Sequence, residues 1–393
     1  MSDSKIEISH RSWADKPENL NIVTTPLAFK SYPLAILLPK LNGSANEGVF
    51  EQDGTPVEAS SLIRGKYKIR GPKEGLLDKV ARSDPSTVLF GGYYFNHFGH
   101  FISESLSRLW SYRDLSKIDK IVFLKGDQDR LGRSDVLKYF IPESDLPKVE
   151  IVSEATQYRE IIIPDPGYVI RSSFNLNHWV WMRQVSDLIE KTKDVEKRSE
   201  PLYLSRSSQG AGKRVGFGEV DLETSLAESG FRVVKPEKMP FLDQVRLLLE
   251  HDTIVGLEGS QLHNLMFSRG GKRVIQLDYR PVNGNYVLID KMLGNDASYI
   301  GVTFPKPYEG FQMSGGVTEP FIFEPQIAAD HIANLTSWKV KPVCLSKETR
   351  IAFAMNWLQW WDRNVRAKEK AGKGHLFPIS RYKHNLSIAL SAI

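Results

Sequence analysis

Cysteine is nearly absent from this 393-residue chain, with Cys344 the only one. A single thiol excludes a disulfide scaffold and any zinc or iron–sulfur centre built on clustered cysteines, and it fits a reducing compartment. Long apolar runs are missing too. The longest, such as 34–38 and 161–164, have the length of strands and fall far short of the roughly 18 residues that a membrane helix needs. Residues 1–20 are polar and lack the apolar core that a secretion signal requires. No basic block, nucleic-acid motif, internal repeat or low-complexity tract stands out, so a nucleic-acid partner is not expected. These absences lead to the expectation of a cytoplasmic protein that does not span a membrane.

What is present is ordinary globular material: 41% apolar and 25% charged residues let each of two domains bury a core. The net charge of +5 favours anionic ligands, whether nucleotide phosphates, acidic glycans or a lipid surface. Residues 1–80, rich in proline, glycine and short apolar runs, read as strands and turns that belong to the first domain. Within residues 81–198, strands at 88–90, 121–124, 149–152 and 161–164 alternate with a helix that follows Gly91-Gly92 and runs to about 112 and another at 179–193. That alternation implies a parallel sheet covered on both faces. The charged stretch 194–201 ends in proline and marks the junction.

The alternation then restarts across residues 199–335. Strands are expected at 202–205, 231–234, 253–256 and 273–277, with helices at 219–228, 241–250 and from Gln261, a Rossmann-like unit. Two such units facing each other make a cleft. Residues 336–393 read as helices packing back across the domains. The helix at 347–367 gathers Trp357, Trp360 and Trp361 on or near one face, for packing or for a peripheral contact with the inner face of a membrane.

Two segments carry chemistry. In 95–110, advancing about 100° per residue from Phe98 puts Phe98, Phe101, Ile102, Leu106 and Leu109 on one buried stripe. His97, His100, Glu104 and Arg108 fall on a separate narrow wedge, between about 200° and about 280°. Glu104 suits a general base, His100 one turn earlier its partner or replacement, and Arg108 one turn later a cation that keeps the carboxylate ionised. A plain polar helix face and a metal site of His97, His100 and Glu104 remain alternatives. In 253–264, a strand feeds a glycine turn and then a helix. Gly256 and Gly259 allow close backbone approach, and the helix start suits a diphosphate. Ser260 adds a hydroxyl, Glu258 an acceptor for a sugar or ribose hydroxyl, and His263 and Asn264 sit in the first turn. Arg206, after the strand at 202–205, and Lys213 and Arg214 in the next loop supply cations for the same anion. Asp127-Gln128-Asp129 has the form of a metal-binding pair, though Arg130 follows it directly.

Taken together these motifs resemble glycosyltransferase family 61. The resemblance rests on Tyr94 to Leu109 (an aromatic/Asn stretch, His100, Glu104 and an apolar helix), Tyr203-Leu-Ser-Arg206, Arg214, Gly218-Glu219, Phe241-Leu-Asp-Gln244 and Gly256 to Asn264. It covers roughly residues 85–280. It implies a GT-B arrangement with an acceptor domain (81–198) and a nucleotide-sugar domain (199–335), inversion at the anomeric carbon, and no metal or other cofactor. The bacterial capsule and surface-polysaccharide branch is the expected setting. Partners would be a nucleotide-sugar donor and a glycan or lipid-linked glycan acceptor, with Asn96, His97 and Arg108 on the acceptor side. Two positions depart from the family: Glu258 stands where many members have His, and Gly218 where many have Asn. An anionic Glu258 would repel donor phosphate. A metal-dependent glycan hydrolase or esterase, and a binding partner without catalysis, are the rival readings.

Overall fold

The computed structural model describes residues 6–8, 19–40, 46–74, 80–115, 117–208, 215–302, 304–313, 318–370 and 379–393. Its architecture is mixed α/β, built on two principal sheets.

The first sheet has eight strands. Val149–Ile151, Lys120–Lys125, Arg82–Tyr94 and Thr156–Pro164 run parallel. Antiparallel strands from the N-terminal segment extend it: Phe29–Pro33 and Ile36–Leu38 pair with Thr156–Pro164, then Gly48–Phe50 and Pro56–Val57 follow. The central strands are buried on both faces, which is why they read as unbroken apolar runs. Val88, Phe90, Val122 and Leu124 pack into one core; Leu89, Ile121 and Phe123 pack into another on the opposite face.

The second sheet has six parallel strands in the order Ile6–Ile8, Asp296–Gly301, Arg273–Asp278, Thr253–Leu257, Leu202–Leu204 and Arg232–Val234. Helices Glu219–Glu228, Phe241–Glu250, Gly284–Leu293 and Pro325–Thr336 accompany it, as the βα alternation predicts. One strand is a surprise: Ile6–Ile8, from the segment expected with the first domain, adds to the edge of this second sheet.

The core on the Leu89 face runs on without a break into the second half. Phe140 meets Phe267 with ring centroids 6.1 Å apart, and Tyr139 meets Phe241 at 5.8 Å. Between the halves, the expected helix 179–193 is two helices, Leu176–Met182 and Gln184–Thr192. The tail helices Lys347–Lys370 and Ile379–Ser391 close an aromatic cluster of Phe353, Trp357, Trp360 and Trp361. Tyr308, Phe311 and Ile322 join it from the second half. Among the described residues no helix is long and apolar enough to cross a membrane.

Candidate functional site

The first wall begins where strand Arg82–Tyr94 ends. Ser105 ties the corner: its hydroxyl accepts from the Phe95 N–H at 2.8 Å and donates to the Tyr93 carbonyl at 2.9 Å. The chain forms one α-turn at Phe98–His100, then a π-helical turn at Phe101–Ser105, where the Leu106 N–H reaches the Phe101 carbonyl at 3.1 Å. Phe101, Ile102, Leu106 and Leu109 are buried, as the periodicity predicts.

The polar edge is another matter. His100 Nδ1 lies 2.7 Å from Glu104 Oε2, one turn on. Glu104 is buried and is gripped by Arg64 through two bonds, Nε to Oε1 at 2.8 Å and a terminal nitrogen to Oε2 at 2.9 Å. Arg64 comes from the hairpin Leu62–Arg64 and Tyr67–Arg70, far back in the strand-rich segment. A carboxylate this deep needs such a partner. Arg108 does not supply it. The π-turn adds a residue per turn and ends the regular 100° advance, so Arg108 points inward and donates to the carbonyls of Pro164 and Ala59. The expected Glu104–Arg108 pair is corrected to Arg64–Glu104.

Asn96 organises a loop. Asp127 accepts the backbone N–H groups of Asn96 and His97 at 2.7 and 3.0 Å, and the Asn96 amide donates to the Arg130 carbonyl at 2.8 Å. Asp129 pairs with Lys125 at 2.8 Å. The two carboxylates of the Asp-x-Asp tripeptide are thus committed separately. Among the described residues no group of three or more His, Cys, Asp or Glu side chains is arranged to hold a metal ion, the His97, His100 and Glu104 wedge included.

The second wall is the turn between strand Thr253–Leu257 and the 3₁₀-helix Ser260–Phe267. Gly259 leaves room for Arg206: a Cβ there would stand 2.7 Å from Arg206 Nε and 2.8 Å from its Cδ. Arg206 donates to the Glu258 carbonyl, and its own N–H donates to Glu219 Oε1 at 2.9 Å. Burial pushes Glu219 up to about 8.

Glu258 is 1% exposed and takes a double hydrogen-bonded ion pair from Arg280, including Nε to Oε2 at 2.7 Å. The carboxylate feared as a repellent of phosphate is therefore neutralised. Beside it, burial and then the Glu258 charge push Asp278 well above the usual carboxylate range. His263 is buried against Tyr286, ring centroids 5.0 Å apart. Burial, then the nearby His100 and His97, hold it down to about 3. Asn264 donates to Gln244 Oε1 at 2.8 Å, which joins two of the sequence motifs. Lys213 and Arg214 lie outside the described residues.

Both walls line one cavity of about 1140 Å³. Asn96, His97 and His100 reach it from the first wall, and Arg206, Glu258, Gly259, Ser260 and His263 from the second. Gly99 sets the closeness of the two: a Cβ on it would come within 3.2 Å of Ser260 Oγ and 3.3 Å of His263 Cε1. Glu104 and Arg108 lie behind, around a separate cavity of about 170 Å³. Sequence reasoning missed Arg64, Arg133 and Arg280. Only Arg280 had a signal, since it follows the carboxyl end of a parallel strand, where α/β sheets bind ligands.

Chemically, one wall offers an imidazole oriented by a carboxylate, and the other a glycine turn flanked by two guanidinium groups. Residues 98–275 match the family model described as Glycosyltransferase 61. No curated protein matches the chain. The matched span takes in His100, Glu104, Arg206 and the Gly259 turn and leaves out Arg64 and Arg280.

Proposed function

We propose, from the match of residues 98–275 to the family model described as Glycosyltransferase 61, an inverting transfer from a nucleotide-sugar donor to a glycan acceptor. The observation that carries the reading is the single cavity in which His100 faces the Gly259–Ser260 turn and Arg206. In this reading the two sheets are the halves of a GT-B arrangement and the cavity is its active cleft.

The donor diphosphate rests on the Gly259–Ser260 turn, at the positive end of the helix that the turn opens. Arg206 takes up the charge that develops as the bond between the anomeric carbon and the diphosphate oxygen breaks, and this does the work that a metal does elsewhere. The acceptor hydroxyl attacks the opposite face of that carbon and gives its proton to His100 Nε2. Glu104 accepts from Nδ1, which leaves Nε2 with the lone pair, and Arg64 holds Glu104 in place through two hydrogen bonds. The base is thus His100, with Glu104 as a positioning residue. Glu258 does not oppose the diphosphate, because Arg280 already holds it.

The setting we propose is synthesis of a capsule or surface polysaccharide on the cytoplasmic side of a membrane, with peripheral contact to a lipid-linked acceptor. The test is a panel of nucleotide sugars with and without chelator, read as released nucleotide. Selective release by one donor that survives chelation supports the reading. Release that vanishes with chelator, or stabilisation by nucleotide with no turnover on any donor, overturns it.

A further inference from the structure

The cavity holds charge that the proposed transfer does not use. Arg130 and Arg133 line it on the side of His97 and His100. The loop that carries them is knitted around Asn96. Asp127 binds two backbone N–H groups there, Asn96 donates to the Arg130 carbonyl, and Arg133 Nε donates to the Asn96 carbonyl at 2.8 Å. The Arg133 guanidinium also lies over the Phe98 ring, 5.5 Å from its centroid. Its plane is therefore fixed from two directions while its terminal nitrogens keep no hydrogen bond among the described residues. The Arg130 guanidinium makes one hydrogen bond among the described residues, Nε to Gln128 Oε1 at 3.2 Å.

The carboxylates nearby do not neutralise them. Asp127 is committed to the backbone and Asp129 to Lys125. Asp135 lines the same cavity and makes no ion pair with either arginine. The contrast is with Arg280, whose charge is matched by Glu258. A fixed guanidinium with its outer N–H groups uncommitted suits a planar or tetrahedral oxyanion held by two parallel bonds.

We propose that Arg133, with Arg130 beside it, forms a subsite for an anionic group on the acceptor glycan, a uronate carboxylate or a phosphodiester. The inference rests on the transferase reading, which places the acceptor on the His100 wall and the donor diphosphate on the Arg206 wall. It makes the acceptor an acidic polymer.

The test uses the full chain and its Arg130→Gln/Arg133→Gln double variant, both saturated with uridine diphosphate. A glucuronate-containing tetrasaccharide, a glycerol-phosphate-linked oligosaccharide and a neutral glucan tetrasaccharide are titrated into each. Wild type binds one of the anionic probes more tightly than the neutral one, and the choice between those two names the anion. The double variant loses that probe by about 10- to 100-fold, the range of a charge-assisted hydrogen bond, and keeps its nucleotide affinity. Equal binding of all three by wild type, no binding of any, or a variant as discriminating as wild type overturns the proposal. A loss of nucleotide affinity also overturns it and moves the two arginines to the donor. Because nucleotide release from the donor is measured separately, failure of the subsite leaves the transferase reading standing.

Discussion

The two walls of the cleft are made by different physics. The His100 wall is held by charge: Arg64, Glu104 and His100 form a chain of hydrogen bonds in which each member fixes the next. The Gly259 wall is held by close approach. There a missing side chain lets Arg206 lie against the turn, while burial keeps His263 neutral and shifts Asp278 upward. A charge network tolerates small shifts of the backbone but fails when one charge is removed. A close-packed turn fails when a methyl group is added, and the Arg280–Glu258 ion pair beside it is a separate source of stability. The same cavity therefore has two distinct ways to break, and each wall predicts its own mutational signature.

The largest effect is expected at His100. Removing the proton acceptor in His100→Ala lowers transfer by about 10²- to 10⁴-fold while the KM for donor stays near wild type. Glu104→Gln costs less, because the imidazole remains and loses only its orientation. A Glu104→Gln enzyme slower than His100→Ala would make the carboxylate the base and reverse the assignment. Next comes Arg280→Gln, which leaves the buried Glu258 carboxylate without its ion-pair partner. Losing one partner of a buried pair is worth about 3 kcal/mol here, the lower end of the usual range because Arg280 itself is 43% exposed. Urea unfolding measures it, and Glu258→Gln/Arg280→Gln should recover most of the loss. If the double variant is as unstable as the single one, the pair is not what neutralises Glu258.

These two walls were unequally legible in the sequence. The apolar stripe of Phe101, Ile102, Leu106 and Leu109 and the βα rhythm of the second sheet follow from local spacing, and local spacing is what a sequence displays. Gly259 was visible for the same reason. Arg64 was not, because it reaches Glu104 across 40 residues, and no periodicity links a hairpin to a helix that far downstream. Arg108 misled because a uniform 100° advance cannot foresee the π-turn at Phe101–Ser105. The pairing of Ile6–Ile8 with Asp296–Gly301 is the most distant case. Three apolar-edged residues carry no mark of the sheet they join.

The second wall is broken by a methyl group. In Gly259→Ala the new Cβ would sit 2.4 Å from Gln261 Oε1 and 2.7 Å from Arg206 Nε, so Arg206 must swing away. The backbone there has φ of 173°, which alanine adopts without strain, so the effect is local displacement and not misfolding. Transfer should fall on the order of 10²-fold, the scale of losing one electrostatic donor to the leaving group. The KM for donor should rise with it, which separates this variant from His100→Ala. A Gly259→Ala enzyme with normal donor KM would remove Arg206 from the donor site.

The smallest effect concerns stability in acid. In the unfolded chain His263 takes up a proton near its ordinary pKa of about 6.5, whereas the fold holds it neutral down to about 3. Between those values the unfolded state binds a proton that the folded state refuses, so stability falls as the pH drops through that window. By pH 5 the loss from this one group is about 2 kcal/mol. His178, also buried and held to about 3, adds a parallel share that His263→Gln leaves untouched. The stability lost between pH 7.5 and pH 5, measured by urea unfolding at each pH, should therefore shrink by about 2 kcal/mol in His263→Gln without vanishing. An unchanged loss would mean that His263 finds a proton partner in the fold. The second wall would then be held by charge as the first one is, and the contrast between the two walls would fail.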